Sequence, residues 1–169
     1  MIALDLTSYG AAFAIINRFV DDDGIKVFEV SPCGQAAILI LAAKEITSAQ
    51  ILKSEIASFF KDQVLNIALI ENAHTDLLPT YLSQNKTSLN KNLLILEGSS
   101  VALGLHLADK LLKQKYALVD FRVIRTFPKN VIISATTASM TELLDIDCAD
   151  FKKNYIEDVQ ITLKSFYEI

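Results

Sequence analysis

The chain has 169 residues, 51% of them hydrophobic, which suits one ordinary domain or two small ones with a substantial core. A net charge of −4, without any dense block of Lys or Arg, gives no electrostatic basis for binding nucleic acid or an anionic membrane surface. The two cysteines form no CxxC pair and no disulfide framework, which favours a reducing compartment. Because the apolar start lacks a basic n-region and is interrupted by Asp5, Asn17 and Arg18, we expect a cytoplasmic protein.

The first half of the chain predicts a strand, a helix, a β-hairpin, a second helix and a closing strand. Thr7 and Ser8 are candidate N-caps between the strand ALDL and a helix with apolar residues at helical spacing. An acidic segment and Gly24 end that helix, and IKVFEV and AAILILAA then pair around a Pro-Cys-Gly turn. VLNIALIENAH is the closing strand. The second helix, in TSAQILKSEIASFF, is predicted to bury one apolar side made of Ile51, Leu52, Ile56, Phe59 and Phe60.

The second half repeats this order. NLLILE matches the first strand, and Ser99 and Ser100 stand where Ser8 stands, with a spacing that pairs Ser99 with Ser8. The hairpin YALVDFRVI and NVIISAT is followed by an irregular helical stretch from Met140 to about Tyr155. The strand VQITLKSF then ends the chain, with Val159 as the counterpart of Val64. The helix VALGLHLADKLLKQ should bury one stripe formed by Val101, Leu105, Ala108 and Leu112.

These patterns predict an α+β fold made of two tandem β-α-β-β-α-β domains, a variant of the ferredoxin-like arrangement. The first domain covers residues 1–82 and the second covers residues 92–169. The polar segment SQNKTSLNK, residues 83–91, is the predicted linker.

Four stretches resemble bacterial microcompartment (BMC) shell proteins: ALDLTSYGAAFAII, SPCGQ, NIALIENAHTDLLPTYL and EGSSVALGLHLADKLLK. The resemblance spans nearly the whole chain and points to tandem-domain members, in outline most similar to the propanediol-utilisation PduT type. It implies a structural subunit without catalytic activity, located in a microcompartment in the cytoplasm. It further implies a homotrimer that imitates a hexamer, associates with other shell proteins and has a central pore.

The resemblance also assigns residues to that pore. Cys33 lies on the first hairpin turn, where one thiolate per chain could meet its copies at a threefold axis and bind an iron–sulfur cluster. A small thiol that merely fills the turn is the open alternative, and Cys148, in a polar context, is expected to have no ligand role. The implied pore-lining residues are Ser31, Pro32, Cys33, Gly34 and Gln35 in the first turn and Arg125, Thr126, Phe127, Pro128 and Lys129 in the second.

The resemblance also implies a subunit edge. A lysine usually ends the first helix of a shell domain and meets the neighbouring tile, and Asp21 and Lys113 occupy that place in the two domains. Asn72 stands where a corner arginine is expected, and His74 falls on the family's histidine. We expect His74 to hydrogen-bond the backbone and fix the turn, since no partner for ligand or proton-transfer chemistry is identifiable. Because the first-domain lysine and the arginine are missing, lateral tiling is a weaker prediction than trimer formation.

No motif indicates an enzyme. The run Asp21 to Asp23 lacks the alternate spacing of a calcium loop, EGSS is no phosphate-binding loop, and no Ser-His-Asp order or carboxylate pair stands out. Two further classes stay open. Duplicated ferredoxin-like domains also serve as small-molecule-binding regulatory proteins, and a cluster at Cys33 could make the chain a redox carrier.

Overall fold

The computed structural model describes residues 1–20, 24–84, 87–88, 92–125, 130–138 and 150–156. Within these residues the chain forms two four-stranded sheets. The strands lie in the order Ile25–Cys33, Ala36–Ala43, Ile2–Leu6 and Val64–Leu69 in the first sheet, and Ala117–Ile124, Asn130–Thr137, Asn92–Gly98 and Lys152–Ile156 in the second. Neighbouring strands of the first sheet are antiparallel, as are the two strands that flank Asn92–Gly98 in the second, and the first strand of each half lies inside its sheet. The predicted α+β class with a duplicated fold is confirmed.

The elements of the first half follow the predicted order. They are β1 (Ile2–Leu6), α1 (Tyr9–Phe19), β2 (Ile25–Cys33), β3 (Ala36–Ala43), α2 (Ile46–Phe59), β4 (Val64–Leu69) and the short helix α3 (Leu77–Tyr81). All five residues of β1 are buried, because this strand pairs with β3 on one side and β4 on the other. Helix α1 buries Ala11, Ala12 and Ile15, which recur at helical spacing and join the hydrophobic core of the first half.

Helix α2 buries a narrower side than the sequence predicts. Leu52 and Ile56 join the core, whereas Ile51 is 56% and Phe59 59% exposed. A helix on a sheet buries only the stripe that recurs every three or four residues, here Ala49, Leu52 and Ile56. Ile51 precedes Leu52 by one residue and is therefore turned about 100° away from that stripe. The prediction that Ile51 and Phe59 are buried is wrong.

The second half contains β5 (Asn92–Gly98), α4 (Val101–Lys113), β6 (Ala117–Ile124), β7 (Asn130–Thr137) and β8 (Lys152–Ile156). The predicted stripe of α4 is confirmed, because Val101, Leu105 and Ala108 are 0% exposed and Leu112 is 6% exposed.

Two predictions for the second half need correction. The sequence predicts a helical stretch that ends at about Tyr155, but residues Lys152–Ile156 form β8 and pair with β5 in the position that β4 holds beside β1. The sequence does not indicate this strand, because Lys152, Lys153 and Asn154 are polar and break the apolar alternation. Such residues are tolerated in a strand at the edge of a sheet. The counterpart of β4 is therefore this segment and not one that begins at Val159. Residues 140–149 of the predicted helix, and Val159 itself, lie outside the described residues.

The helix cap of the second half also differs by one residue. Ser100, not Ser99, is the counterpart of Ser8: the Ser100 hydroxyl accepts a hydrogen bond from Leu103 N–H, as the Ser8 hydroxyl accepts one from Ala11 N–H.

Contacts divide the chain into two compact units. Of the described residues, the first unit contains those within Met1–Ala73, Ser100–His106 and Ile124–Asn130, and the second contains those within His74–Ser99 and Leu107–Val123 and from Val131 onward. The boundaries at residues 82 and 92 stay predictions. None of the described helices has the length and apolar character needed to cross a bilayer.

Candidate functional site: the hairpin turns and the corner segment

The first hairpin turn is a tight two-residue connection. Strand β2 ends at Cys33 and β3 begins at Ala36, and Gly34 between them has φ of 65°. A positive φ at the first central residue is what such hairpin turns require, and glycine adopts it without steric cost. Three of the predicted pore residues, Pro32, Gly34 and Gln35, are exposed here, whereas Ser31 is half-buried.

Glu29 connects the two predicted pore turns within the first compact unit. Its Oε1 atom accepts a hydrogen bond from Arg125 Nη2 at 2.8 Å and another from the Ser31 hydroxyl. The Glu29 side chain is only 14% exposed, so this ion pair is partly shielded from water. Sequence reasoning missed Glu29, because a glutamate on the polar side of an alternating strand has no distinguishing local signal. Thr126, Phe127, Pro128 and Lys129 lie outside the described residues.

Cys33 differs from its exposed neighbours in the turn. It is 3% exposed in the chain, which is the environment of a packed thiol. Among the described residues no group of three or more His, Cys, Asp or Glu side chains could hold a metal ion. One buried thiol does not fit the ligand set of an iron–sulfur cluster, which needs several converging thiolates. Ligation by Cys33 therefore stays a prediction that depends on other copies of the chain. Cys148 lies outside the described residues.

The corner segment, Glu71–His74, follows β4. Asn72 is exposed and has φ of 47°, a left-handed conformation that asparagine tolerates better than most residues. The His74 Nδ1 atom accepts a hydrogen bond from Asp76 N–H at 3.2 Å, and the His74 carbonyl accepts one from Leu77 N–H at 3.0 Å. His74 thus hydrogen-bonds the backbone, as the sequence predicts for a residue that fixes the turn. Its role at a subunit edge stays a prediction.

Asp109 brings together two of the predicted edge residues in the second compact unit. Its carboxylate accepts a hydrogen bond from His74 N–H at 2.7 Å and pairs with Lys113 Nζ at 2.5 Å. Asp109 is 3% exposed, whereas the Lys113 side chain is 43% exposed. This buried carboxylate thus holds the His74 backbone and the Lys113 ammonium in place within the second unit. Asp21, a further predicted edge residue, lies outside the described residues.

In the sequence, Asp5 is only an interruption of an apolar stretch. It is 0% exposed in β1, and its carboxylate accepts hydrogen bonds from the Ser100 hydroxyl at 2.6 Å, Val101 N–H at 3.2 Å and Ala102 N–H at 3.3 Å. The start of α4 is thus capped by a distant carboxylate as well as by Ser100. A negative charge at a helix N-terminus is favourable, because the first N–H groups have no partner inside the helix. A single carboxylate in an otherwise apolar strand is the sequence feature that could have indicated a buried, hydrogen-bonded aspartate.

Comparisons with known proteins bear on the fold. The structure is similar to that of a microcompartments protein from Desulfitobacterium hafniense DCB, with a TM-score of 0.71, 18% sequence identity and 97% of each chain covered. At this identity the likeness establishes a shared fold along both halves. The chain therefore has the tandem BMC-type fold that the sequence resemblance implied.

A second solved structure, a putative glycine cleavage system transcriptional repressor, gives a TM-score of 0.33 and 9% identity, covering 92% of this chain and 96% of that one. That TM-score carries no argument for the regulatory alternative. No protein-family model and no curated protein matches the sequence.

Proposed function

We propose that the protein is a structural shell subunit of a bacterial microcompartment, without catalytic activity. The observation that carries this proposal is the shared fold with a microcompartments protein over 97% of both chains. The duplicated strand order supports it, since two equivalent domains in one chain let three copies imitate a six-domain ring.

The proposed assembly is a homotrimer with a central pore lined by the two hairpin turns. The contact of Glu29 with Ser31 and Arg125 supports this, because it joins the base of the first turn to the start of the second. The exposed positions of Pro32, Gly34 and Gln35 leave the first turn accessible.

Mass in solution tests the assembly. Sedimentation equilibrium at micromolar concentration should give three times the chain mass of 18.7 kDa. A stable monomer would overturn the shell proposal. Shell association has its own test: a tagged copy, expressed in a cell that makes microcompartments, should co-purify with intact compartments and their other shell proteins. A trimer that stays in the soluble fraction would leave the assembly intact but exclude the shell role.

Iron–sulfur binding at Cys33 is a separate part of the proposal and needs three copies to supply three thiolates. Anaerobic reconstitution with iron and sulfide should give cluster absorbance in the parent and none in Cys33→Ser, whereas Cys148→Ser keeps it. Absorbance that survives in Cys33→Ser, or no metal uptake by the parent trimer, would mean that the buried thiol is only a packing residue.

Lateral tiling through the predicted edge is the last part. Lys113 is the candidate tile contact of the second domain, and its ion pair with Asp109 orients it. Asp21 occupies the equivalent place in the first domain. Asp21→Lys should increase sheet or tube formation in electron micrographs, and no change would show that this edge does not tile.

A further inference from the structure

The two halves can be equated residue by residue around the central strands. Asp5 in β1 pairs with Ile38 of β3, and Glu97 in β5 pairs with Ile132 of β7. Each of the two carboxylates also stands three residues before the serine that caps the next helix, Ser8 or Ser100. Glu97 is therefore the counterpart of Asp5. By the same register, Tyr9 and Phe13 of α1 are the counterparts of Val101 and Leu105 of α4.

Equivalent residues of the two helices have opposite environments. Val101 and Leu105 are 0% exposed, and the segment Ser100–His106 that contains them belongs to the same compact unit as Met1–Ala73. Tyr9 is 41% and Phe13 52% exposed, and their rings are in edge-to-face contact with centroids 5.0 Å apart. The helix face that α4 buries inside the chain is thus an exposed aromatic pair on α1.

The N-termini of the two helices differ in the same way. At α4, the Asp5 carboxylate accepts hydrogen bonds from Val101 N–H and Ala102 N–H. The equivalent groups of α1, Tyr9 N–H and Gly10 N–H, have no hydrogen-bond partner within the described part of the chain. The first turn of α1 contains no acidic residue that could complement the helix dipole.

The Glu97 carboxylate, the counterpart of the capping Asp5 carboxylate, can accept hydrogen bonds from another copy of the chain. Glu97 is half-buried, and no hydrogen bond or ion pair joins its carboxylate to another of the residues that the structure describes. Within each chain, therefore, the Asp5 carboxylate caps α4. The two groups that would form the equivalent contact, the Glu97 carboxylate and the N-terminus of α1, are not joined to each other. Two complementary surfaces on one chain form a head-to-tail interface when copies associate.

We infer that the Tyr9–Phe13 face of α1 is the docking surface for a second copy of this chain, whose Glu97 caps the α1 N-terminus. The partner's Glu97 carboxylate accepts hydrogen bonds from Tyr9 N–H and Gly10 N–H, as Asp5 does for α4. Tyr9 and Phe13 are buried against the partner, as Val101 and Leu105 are buried within the chain. This contact rests on the self-association that the proposed function requires, but it does not require a shell.

Cross-linking tests the contact directly. Two differently tagged copies, one with Gly10→Cys and one with Glu97→Cys, are co-expressed in a Cys33→Ala, Cys148→Ser background and oxidised. A disulfide forms only between cysteines whose Cα atoms lie within about 7 Å. The inferred hydrogen bond places residue 97 of one copy beside residue 10 of the other, so the mixed cross-linked dimer should appear. Gly10→Cys with the exposed control Glu55→Cys on α2 should give none. Absence of the mixed dimer from an oligomeric sample would overturn the inference.

Dissociation by substitution gives an independent test. Phe13→Asp should weaken association at least about 30-fold, the loss typical of a buried interface aromatic, and Glu97→Gln about tenfold. Ile51→Asp, at an equally exposed apolar position of α2, should keep the parent's mass in sedimentation. If Phe13→Asp keeps that mass while the parent is oligomeric, this inference fails and the proposed function stands. If the cross-link forms but no copy reaches a microcompartment, the proposed function fails and this inference stands.

Discussion

Replacing Asp5 by alanine should destabilise the first compact unit more than any other single cap change. Asp5→Ala removes the acceptor of Val101 N–H and Ala102 N–H, and both residues are 0% exposed, so water cannot readily replace the carboxylate. An orphaned buried donor costs about 1–3 kcal/mol, so two of them should lower the free energy of unfolding by about 2–6 kcal/mol. The Ser100 hydroxyl, which also loses its acceptor, can rotate and adds less.

Urea unfolding at a fixed protein concentration measures this loss, because association of copies would otherwise shift the apparent stability. Two variants calibrate it. Asp5→Asn keeps the shape and one acceptor oxygen, so its loss should be about half as large. Ser8→Ala removes a single hydrogen bond from the exposed N-cap of α1 and should cost about 1 kcal/mol. If Asp5→Ala costs no more than Ser8→Ala, the Asp5 carboxylate does not stabilise the start of α4.

The remaining predictions concern packing and the corner segment. In Gly98→Ala the new Cβ would lie 2.5 Å from the Phe151 ring, so the variant should lose about 1–3 kcal/mol in thermal or urea unfolding. Adding Phe151→Leu should restore part of that loss, and no restoration would exclude the ring as its cause. Asp109→Ala should speed hydrogen exchange of the His74 amide at least about tenfold, since the N–H loses its acceptor. Lys113→Met, which removes only the ion pair, should leave that exchange unchanged, and an equal effect of both variants would contradict the role given to Asp109.

The order of elements could be predicted from the sequence because it depends on interactions between near neighbours. Three local signals illustrate this: the alternation in IKVFEV, the Pro-Cys-Gly turn and the serine caps. Each depends on residues only a few positions apart, and the structure has strands, a hairpin and helices at these places. The buried stripe of α4 was equally readable, since four apolar residues at helical spacing leave one face for the core. Duplication followed from finding the same order twice.

Predictions from sequence patterns were wrong where the environment of a segment depends on other parts of the chain that pack or pair with it. Ile51 and Phe59 are apolar and lie on the right helix, but which apolar residues face the sheet depends on how α2 lies against it. The residues of β8 have no strand alternation of their own, and they become a strand because the edge of β5 offers unpaired N–H and C=O groups.

The polar contacts of the candidate sites were decided by tertiary structure alone. Asp5 meets Val101, Glu29 meets Arg125, and Asp109 meets the backbone of the corner segment, across separations at which one residue gives no local sign of the other. A carboxylate in a strand or helix reads as a solvated residue until folding removes water from around it. A buried N–H group without an acceptor costs free energy, so the folded chain needs the carboxylate at that place. Which groups become buried is decided by the tertiary structure, and a single sequence does not show it.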